Sequence, residues 1–420
     1  MKKNEFIKIF TALTAVFILI FTLSCSDDDD KVGNGGGGGN DEVCQCAIDK
    51  NATVLRVGAD KEYKTVKAAA DAAGDNTIVE IDAGTYIGDA AIAYWTQNNL
   101  VIRAVGGEVI LDAGGKHIDN MGIWKIEAGT VCVEGITFQN AKVSDKNGAG
   151  IRLVDGNLTV INSHFLHNEN GILTGNLAGS SLVIRNSEFG YNGYGDGYSH
   201  NLYVGRIASL DVSGSYFHHC SIGHLLKSRA AINKIYYNKL ADGDEAESKA
   251  SYEIDIPSGG QAIIVGNIIQ KSNTPDNNNV ISFAREENNF YPDNRIYIAY
   301  NTIITSPNRT NDKILAAHAS TEKYVFNNAI YEKAQFDGSV ELTANKGNVS
   351  YKTGDLTANY YPISTVLESW KNELEEDIDS YLSQGLKAQS ISLIPQYQYS
   401  QLNIIPINGK PVIPGAVQRP

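Results

Sequence analysis

Two cations, two carboxylates and a tyrosine lie on three successive apolar segments of this chain. Tyr203 lies in the first segment, Lys227 and Arg229 in the second, and Glu253 and Asp255 in the third. Lysine and tyrosine can transfer protons, and arginine can bind a carboxylate through two hydrogen bonds. Such a set could catalyse β-elimination in a uronic acid polymer. That reaction must neutralise the C6 carboxylate, remove the C5 proton and protonate the leaving O4 atom.

Each of these side chains has a possible role in that chemistry. We expect Arg229 to bind the substrate carboxylate, and Lys227 to act as the base if burial and Arg229 lower its pKa. Tyr203 or His200 is the candidate acid, and either could exchange roles with Lys227. The alternative is an ion-pair ladder between neighbouring segments, in which each exposed pair would contribute little. The residues expected to bind substrate are Asn201, His224, Glu253, Asp255 and Arg152.

An internal repeat predicts the elements that position these residues. Short alternating strands are followed by Asn or Gly and then by a large apolar residue, which falls at positions 138, 165, 189, 217, 240, 269, 303 and 330. The intervals show no helical periodicity, so each repeat is predicted to be a coil of short strands. One coil cannot bury its apolar face alone, and successive coils must therefore stack.

Asparagine recurs at one corner of the repeat, at Asn162, Asn186, Asn238, Asn267, Asn301 and Asn328. Asparagine tolerates the left-handed conformation, and its amide can bond to the next asparagine in a stack. Leucine-rich repeats would show a different leucine pattern, and a β-sandwich would not keep the asparagines in register. The sequence therefore predicts an all-β fold, a right-handed parallel β-helix.

Both ends of the repeat region are predicted to be covered. Residues 63–73 read as an amphipathic helix that caps the first coil, and residues 366–382 have helical spacing of apolar residues. We place the β-helix domain at residues 51–360, and a C-terminal helix and tail packed on it at residues 361–420.

Alternation along the strands predicts which side chains face outward. Leu202 and Val204 alternate with Asn201 and Tyr203, so the latter two should point out. The same argument places Glu253 and Asp255 outside, because Ile254 and Ile256 would point inward. Lys227 and Arg229 are also expected outside, since two long cations seldom share a dry core.

The N-terminus predicts export. Residues 1–24 combine a basic start with an apolar run typical of a signal peptide, and they end at Cys25 in a relaxed lipobox. Residues 25–50 contain Asp27–Asp30 and five successive glycines, so they should form a flexible tether. The Cys-Ser-Asp-Asp start resembles the surface-export signal of Bacteroidetes lipoproteins. That resemblance implies a lipid-anchored protein on the cell-surface side of an outer membrane, with the lipid as its only membrane contact.

The charge and cysteine content exclude some classes of function. The net charge of −13 argues against nucleic acid as a partner. Cys44, Cys46, Cys132 and Cys220 lack metal-ligand spacing, so they should pack in the core or form one or two disulfides. The acidic turn at residues 242–245 could bind calcium or simply be solvated; no other cofactor is indicated. We expect a monomer whose partner is an anionic polysaccharide.

Residues 60–350 resemble the pectate-lyase-like superfamily, and within it the alginate and chondroitinase-B-type polysaccharide lyases. The resemblance rests on residues 78–86, the asparagine corners, and the adjacent segments 223–230 and 251–260. Those lyases use a lysine base and an arginine acid, which implies these roles for Lys227 and Arg229. Here both lie on one strand instead of on different coils, so the division of roles stays open.

Three functions are compatible with the sequence. The first is a polysaccharide lyase acting on an alginate-like or glycosaminoglycan-like polymer. The second is an inverting glycoside hydrolase using Glu253 and Asp255, whose stems would lie about 6.6 Å apart on one strand. The third is a glycan-binding surface protein without catalytic activity, which rows of exposed aromatic residues would favour.

Overall fold

The computed structural model of this chain describes residues 46–418, apart from residues 48, 244–247, 287–290, 337–338 and 353. The predicted signal peptide, Cys25 and Cys44 lie outside the described residues, as does most of the predicted tether. Within the described part, no helix is long and apolar enough to cross a membrane.

Short parallel strands make up most of the described chain. In chain order they are β1 (Thr53–Val57), β2 (Thr77–Ile87), β3 (Ala93–Trp95), β4 (Leu100–Asp112), β5 (Gly122–Glu134), β6 (Ile136–Gln139), β7 (Ala149–Ile161), β8 (His164–Leu166), β9 (Asn170–Thr174), β10 (Ser181–Arg185), β11 (Glu188–Gly190), β12 (Leu202–Val204), β13 (Ser209–Ser213), β14 (Tyr216–His218) and β15 (His224–Ser228). They continue as β16 (Ile232–Tyr236), β17 (Lys239–Ala241), β18 (Tyr252–Ile256), β19 (Gln261–Val265), β20 (Ile268–Gln270), β21 (Asn279–Phe283), β22 (Arg295–Ala299), β23 (Thr302–Ile304), β24 (Lys313–Ala317), β25 (Glu322–Phe326), β26 (Ala329–Tyr331), β27 (Ala344–Lys346), β28 (Val349–Tyr351), β29 (Tyr397–Tyr399) and β30 (Ile404–Pro406). All pairings among β1–β28 are parallel, while β29 and β30 form a separate antiparallel pair.

The predicted repeat stacks in the expected register. Phe138 pairs with Phe165, and the same position continues through Phe189, Phe217, Leu240, Ile269, Ile303 and Ile330. The ring centroids of the four phenylalanines are 5.1, 4.7 and 4.7 Å apart, and all four rings are buried. This continuous interior confirms the prediction of a right-handed parallel β-helix, which has about ten turns.

The asparagine corner contains two neighbouring positions. Asn162 and Asn186 adopt positive φ angles of 49° and 50°. The other four predicted asparagines lie one position later and form a buried amide ladder. Its Nδ2–Oδ1 distances are 3.1 Å from Asn238 to Asn267, 3.0 Å from Asn267 to Asn301 and 3.0 Å from Asn301 to Asn328. These bonds satisfy polar groups that would otherwise be costly to bury.

The first coil is covered by helix α1 (Val66–Ala72). The hydroxyl of Thr65 accepts a hydrogen bond from the amide of Ala68, which stabilises the N-terminus of α1. Val66, Ala69 and Ala70 are buried, so the predicted cap is confirmed. A disulfide joins Cys46 to Cys132, whereas Cys220 is a free, buried thiol.

The C-terminal helix is shorter than predicted. Helix α2 (Ser364–Glu373) ends well before residue 382, and the chain continues through a 3₁₀ turn (Ile378–Tyr381) to helix α3 (Gln384–Ala388). Asn327 donates to the carbonyl of Glu375 and accepts from its amide, at 2.7 and 2.9 Å. This anchor holds Glu375 outside a helix, and the break allows Ile378 and Leu386 to pack on the β-helix.

Candidate active site

One row of outward-facing side chains crosses successive coils on the strands β7, β9, β12, β15 and β18. Arg152 is in register with Leu173, Leu173 with Tyr203, Tyr203 with Lys227, and Lys227 with Asp255. Their strand neighbours Leu202, Val204 and Leu226 are fully buried in the core. Tyr203 and Lys227 therefore point outward, as alternation predicts.

Lys227 lies between an aromatic ring and a carboxylate. Its Nζ atom is 3.7 Å from Oδ2 of Asp255 and 5.5 Å from the ring centroid of Tyr203, and 16% of its side chain is exposed. Burial lowers the pKa of Lys227, Asp255 opposes this effect, and the nearby Arg229 guanidinium adds to it. Lys227 thus loses its proton more easily than an ordinary lysine, which is what a lysine base requires.

Arg229 is already bonded on both edges of its guanidinium. Nη1 donates to the Tyr203 hydroxyl at 2.5 Å, and Nε donates to Oε2 of Glu286 at 3.0 Å, with a second bond from Nη2 to Oε1. Burial lowers the pKa of Arg229, but the bond to Glu286 and the charges of Tyr203, Glu286 and Asp255 together outweigh burial, and the net direction is upward. Our expectation that Arg229 binds the substrate carboxylate is corrected, because Glu286 occupies that edge.

Arg152 lines an open depression of about 210 Å³ beside Tyr203. Burial lowers its pKa, although a guanidinium stays protonated over the physiological range. In the described part of the chain, no carboxylate lies within ion-pair distance of Arg152. The other lining residues are Asn147, Leu173, Thr174, Gly175, Asn176, Tyr203 and Gly205. Arg152 is therefore the better candidate for binding a substrate carboxylate.

His200, His224 and Asn201 lie beneath the surface. His200 is 1% exposed, and its Nδ1 atom accepts the backbone N–H of His224 at 3.0 Å, so the neutral ring carries its proton on Nε2. Burial lowers the pKa of His200 well below its usual value and that of His224 to about 3. Asn201 accepts from Asn192 and donates to the carbonyl of His218. We correct the predictions that His200 acts as the acid and that Asn201 points out to bind substrate, since neither side chain is accessible.

Glu253 and Asp255 do not form an exposed pair. Glu253 is fully buried and accepts from Nζ of Lys271 at 3.1 Å, and the Lys271 side chain is itself fully buried. Asp255 is 4% exposed, with Nε2 of His224 at 3.4 Å from its Oδ2. The prediction that Glu253 faces the substrate is wrong, because the segment carrying Lys271 covers it. A hydrolase that uses this pair is excluded for the same reason.

The acidic turn lies partly outside the described residues. Asp244 and Glu245 are outside the described residues, while Asp242 is buried and accepts the amides of Cys220 and Ala250 at 3.1 and 2.8 Å. Among the residues that the structure describes, no group of three or more His, Cys, Asp or Glu side chains could hold a metal ion. Calcium binding at this turn stays a prediction.

A solved structure shares this architecture. A pectate lyase, Pel9A, matches over 88% of this chain and 98% of its own, with a TM-score of 0.50 and 13% identity. The chain has the fold of this pectate lyase. The pectin methylesterase PemA from Erwinia chrysanthemi matches over 77% of this chain and 95% of its own, with a TM-score of 0.32 and 13% identity. No protein-family model matches the chain, and no curated protein matches its sequence.

The pectate-lyase fold positions the row, whereas two contacts that shape its chemistry were not predicted from sequence. Glu286 follows β21 in an irregular segment, and Lys271 follows β20. Neither Glu286 nor Lys271 lies in a strand, so the alternation of apolar and polar residues along the strands could not predict these contacts. The exposed depression beside Arg152 was also not foreseen, although Arg152 itself was a predicted substrate-binding residue.

Proposed function

We propose that this protein is a polysaccharide lyase that cleaves a polymer containing uronic acid by β-elimination. The observation that carries the proposal is the placement of Lys227, with its lowered pKa, between Tyr203 and Asp255, in the same outward row as Arg152. The pectate-lyase fold is compatible with such a reaction, because outward rows on a β-helix form a long surface suited to an extended polymer.

The first step is binding of the uronate ring. The Arg152 guanidinium binds the C6 carboxylate, which lowers the energy of the negative charge that develops there when C5 loses its proton. The depression lined by Arg152 and Tyr203 is open to solvent. Asn147 and Asn176 supply amide groups for the ring hydroxyls.

The elimination then transfers two protons, one away from C5 and one onto the leaving O4 atom. The neutral amine of Lys227 removes the C5 proton, the C–H electron pair forms the C4–C5 double bond, and the C4–O4 bond breaks. The Tyr203 hydroxyl gives its proton to O4, which becomes the new reducing end. Asp255 stabilises the ammonium form of Lys227, and Arg229 stabilises the phenolate of Tyr203. Transfer of the proton from Lys227 back to Tyr203, directly or through water, completes the cycle.

We also propose the cellular setting from the sequence. Cleavage after residue 24 and lipidation of Cys25 would anchor the mature protein to an outer membrane, on the cell-surface side. The acidic tether at residues 25–50 would hold the β-helix away from the lipid. An anionic polysaccharide is the proposed partner, and the protein would act as a monomer.

The test of the proposed function is product formation from defined polymers. The mature protein is incubated in turn with alginate, pectate, chondroitin, dermatan and glucuronan, and the ultraviolet absorbance of the C4–C5 double bond is followed. We expect a rise with one of them that Lys227→Met abolishes. Lys239→Met is the matched control, because Lys239 is also half-buried with a pKa lowered by burial but lies on β17, away from the row. New reducing ends without that absorbance would contradict the proposal.

A further inference from the structure

Three aromatic side chains form a stack at the corner that follows β8, β11 and β14. The ring centroids of His167 and Tyr191 are 5.0 Å apart, and those of Tyr191 and His219 are 4.6 Å apart. All three residues adopt positive φ angles, of 59°, 56° and 46°. Glycine or asparagine takes this conformation at a lower energetic cost than a bulky residue. The chain thus retains the large Tyr191 ring in a conformation that is unfavourable for tyrosine.

A second aromatic corner of the same β-helix is covered by another part of the chain. Tyr237 and Tyr300 also have positive φ angles, of 53° each. The C-terminal segment covers them: the Tyr237 hydroxyl accepts the amide of Gln396 at 3.2 Å, and Tyr300 is 2% exposed. Tyr191 is 46% exposed, and Tyr194 on the same loop is 50% exposed. Within the described part of the chain, the Tyr191 corner has no such cover.

A cavity of about 420 Å³ lies beside the exposed stack, and we call it the corner cavity. Lys142 lies on its rim, exposed to solvent, and no carboxylate of the described residues lies within ion-pair distance of it. The Glu169 carboxylate also lines the cavity, and its Oε2 atom accepts the amides of Val143 and Gly148, in the loop at residues 140–148, at 3.0 and 2.7 Å. The lining residues are Asn140, Lys142, His167, Asn168, Glu169, Tyr191, Gly193 and Tyr194.

The chemistry of the corner cavity fits a sugar ring that carries a negative charge. The exposed edges of the stacked rings and the Tyr194 ring can contact the C–H groups of a sugar, the Lys142 ammonium attracts a carboxylate, and the Asn140 amide can bond to hydroxyls. The loop at residues 140–148 contributes Lys142 to this cavity and Asn147 to the depression beside Arg152. We propose that the corner cavity is a second binding site for an acidic polysaccharide, separate from the row that contains Lys227. The choice of polymer class rests on the proposed function.

The test measures binding without relying on catalysis. The full mature chain and its Tyr191→Ala and Lys142→Gln variants are run through native gels containing alginate, pectate, chondroitin or neutral dextran. We expect both variants to be retained by the acidic polymer about 2-fold to 10-fold more weakly than the unmodified protein. Tyr198→Ala is the matched control, because Tyr198 is 78% exposed on the same loop but does not line the cavity.

The salt dependence adds a second readout. Retention of the unmodified protein should weaken as salt is added, and that of Lys142→Gln should change less, because one screened attraction is gone. Lys142 is an exposed surface residue, so its variant decides the matter if Tyr191→Ala does not fold.

Failure of this site can be distinguished from failure of the proposed reaction. Equal retention of the unmodified protein and both variants would overturn the site, as would an equally large loss in Tyr198→Ala or no retention by any acidic polymer. Weaker retention of both variants without elimination product from any polymer would refute the lyase reaction and support the site. Elimination product together with unchanged retention of the variants would refute the site alone.

Discussion

Replacing Lys227 by methionine removes both the proposed base and the nearest cation of Asp255. The Asp255 side chain is 6% exposed, and the nearby His224 is held neutral by burial, so that Arg229 is the cation that still acts on Asp255 once Lys227 is gone. Breaking a buried ion pair typically costs about 3–5 kcal/mol. The carboxyl group can take up a proton instead, which at pH 7 limits the cost to about 4 kcal/mol for a normal pKa of about 3.9. We therefore expect Lys227→Met to lose about 3 kcal/mol of unfolding free energy at pH 7.

A loss of activity in Lys227→Met shows that Lys227 is the base only if it is not caused by the loss of stability. A second substitution can separate the two effects. Lys227→Met/Asp255→Asn removes the buried charge as well, so it should recover most of the lost stability in urea titrations. Its elimination rate should stay about 10²-fold to 10⁴-fold below that of the unmodified protein, the usual contribution of a general base. Recovery of activity together with stability would refute the assignment of Lys227 as the base. The stability gap of the single variant should also narrow as the pH falls, because burial raises the pKa of Asp255 and its protonated form is tolerated.

Three further outcomes are expected. The elimination rate should rise with pH as Lys227, whose pKa is lowered, loses its proton. Asp255→Asn should move that rise to lower pH, because Asp255 raises the pKa of Lys227. An unchanged pH profile in this variant would contradict the ion pair between Lys227 and Asp255. Glu188, bonded to two histidines, has a pKa lowered to about 2, so the stability it contributes above its unfolded pKa of about 4.3 should be lost as the pH falls toward 2. Thermal unfolding of Glu188→Gln, followed as a function of pH, should lack this loss. A pH dependence of the unfolding temperature equal to that of the unmodified protein would contradict this role of Glu188. The paired substitutions Cys46→Ser and Cys132→Ser remove a disulfide that joins residues 86 positions apart, and they should lower the unfolding free energy by about 2–4 kcal/mol. Calorimetry of the reduced unmodified protein should give the same decrease. An unchanged unfolding free energy would contradict a closed disulfide.

The fold was predictable because one position of the repeat is apolar in every coil. A stacked solenoid buries that position continuously, so the spacing of Phe138, Phe165, Phe189 and Phe217 already implied parallel coils in register. The asparagine ladder is equally local, since each amide needs only its counterpart in the next coil. The end of α2 was not predictable in this way, because a tertiary contact from Asn327 sets it.

The candidate site was only partly predictable. Alternation gives the face of the sheet on which a side chain lies, and it placed Tyr203 and Lys227 correctly. It does not tell whether a neighbouring turn covers that face, which is why Glu253 proved to be buried under Lys271. Partners from irregular segments carry no periodic signal, and the bond from Arg229 to Glu286 is such a case.

The most direct test of the central claim is the mass of the products. Elimination breaks the C4–O4 bond without adding water, whereas hydrolysis adds one water molecule per cleavage. Mass spectrometry of the oligosaccharides released from the cleaved polymer should therefore show unsaturated ends lighter by one water than the hydrolysis products, and Lys227→Met should release none. Products that contain the added water would contradict β-elimination on this row of residues.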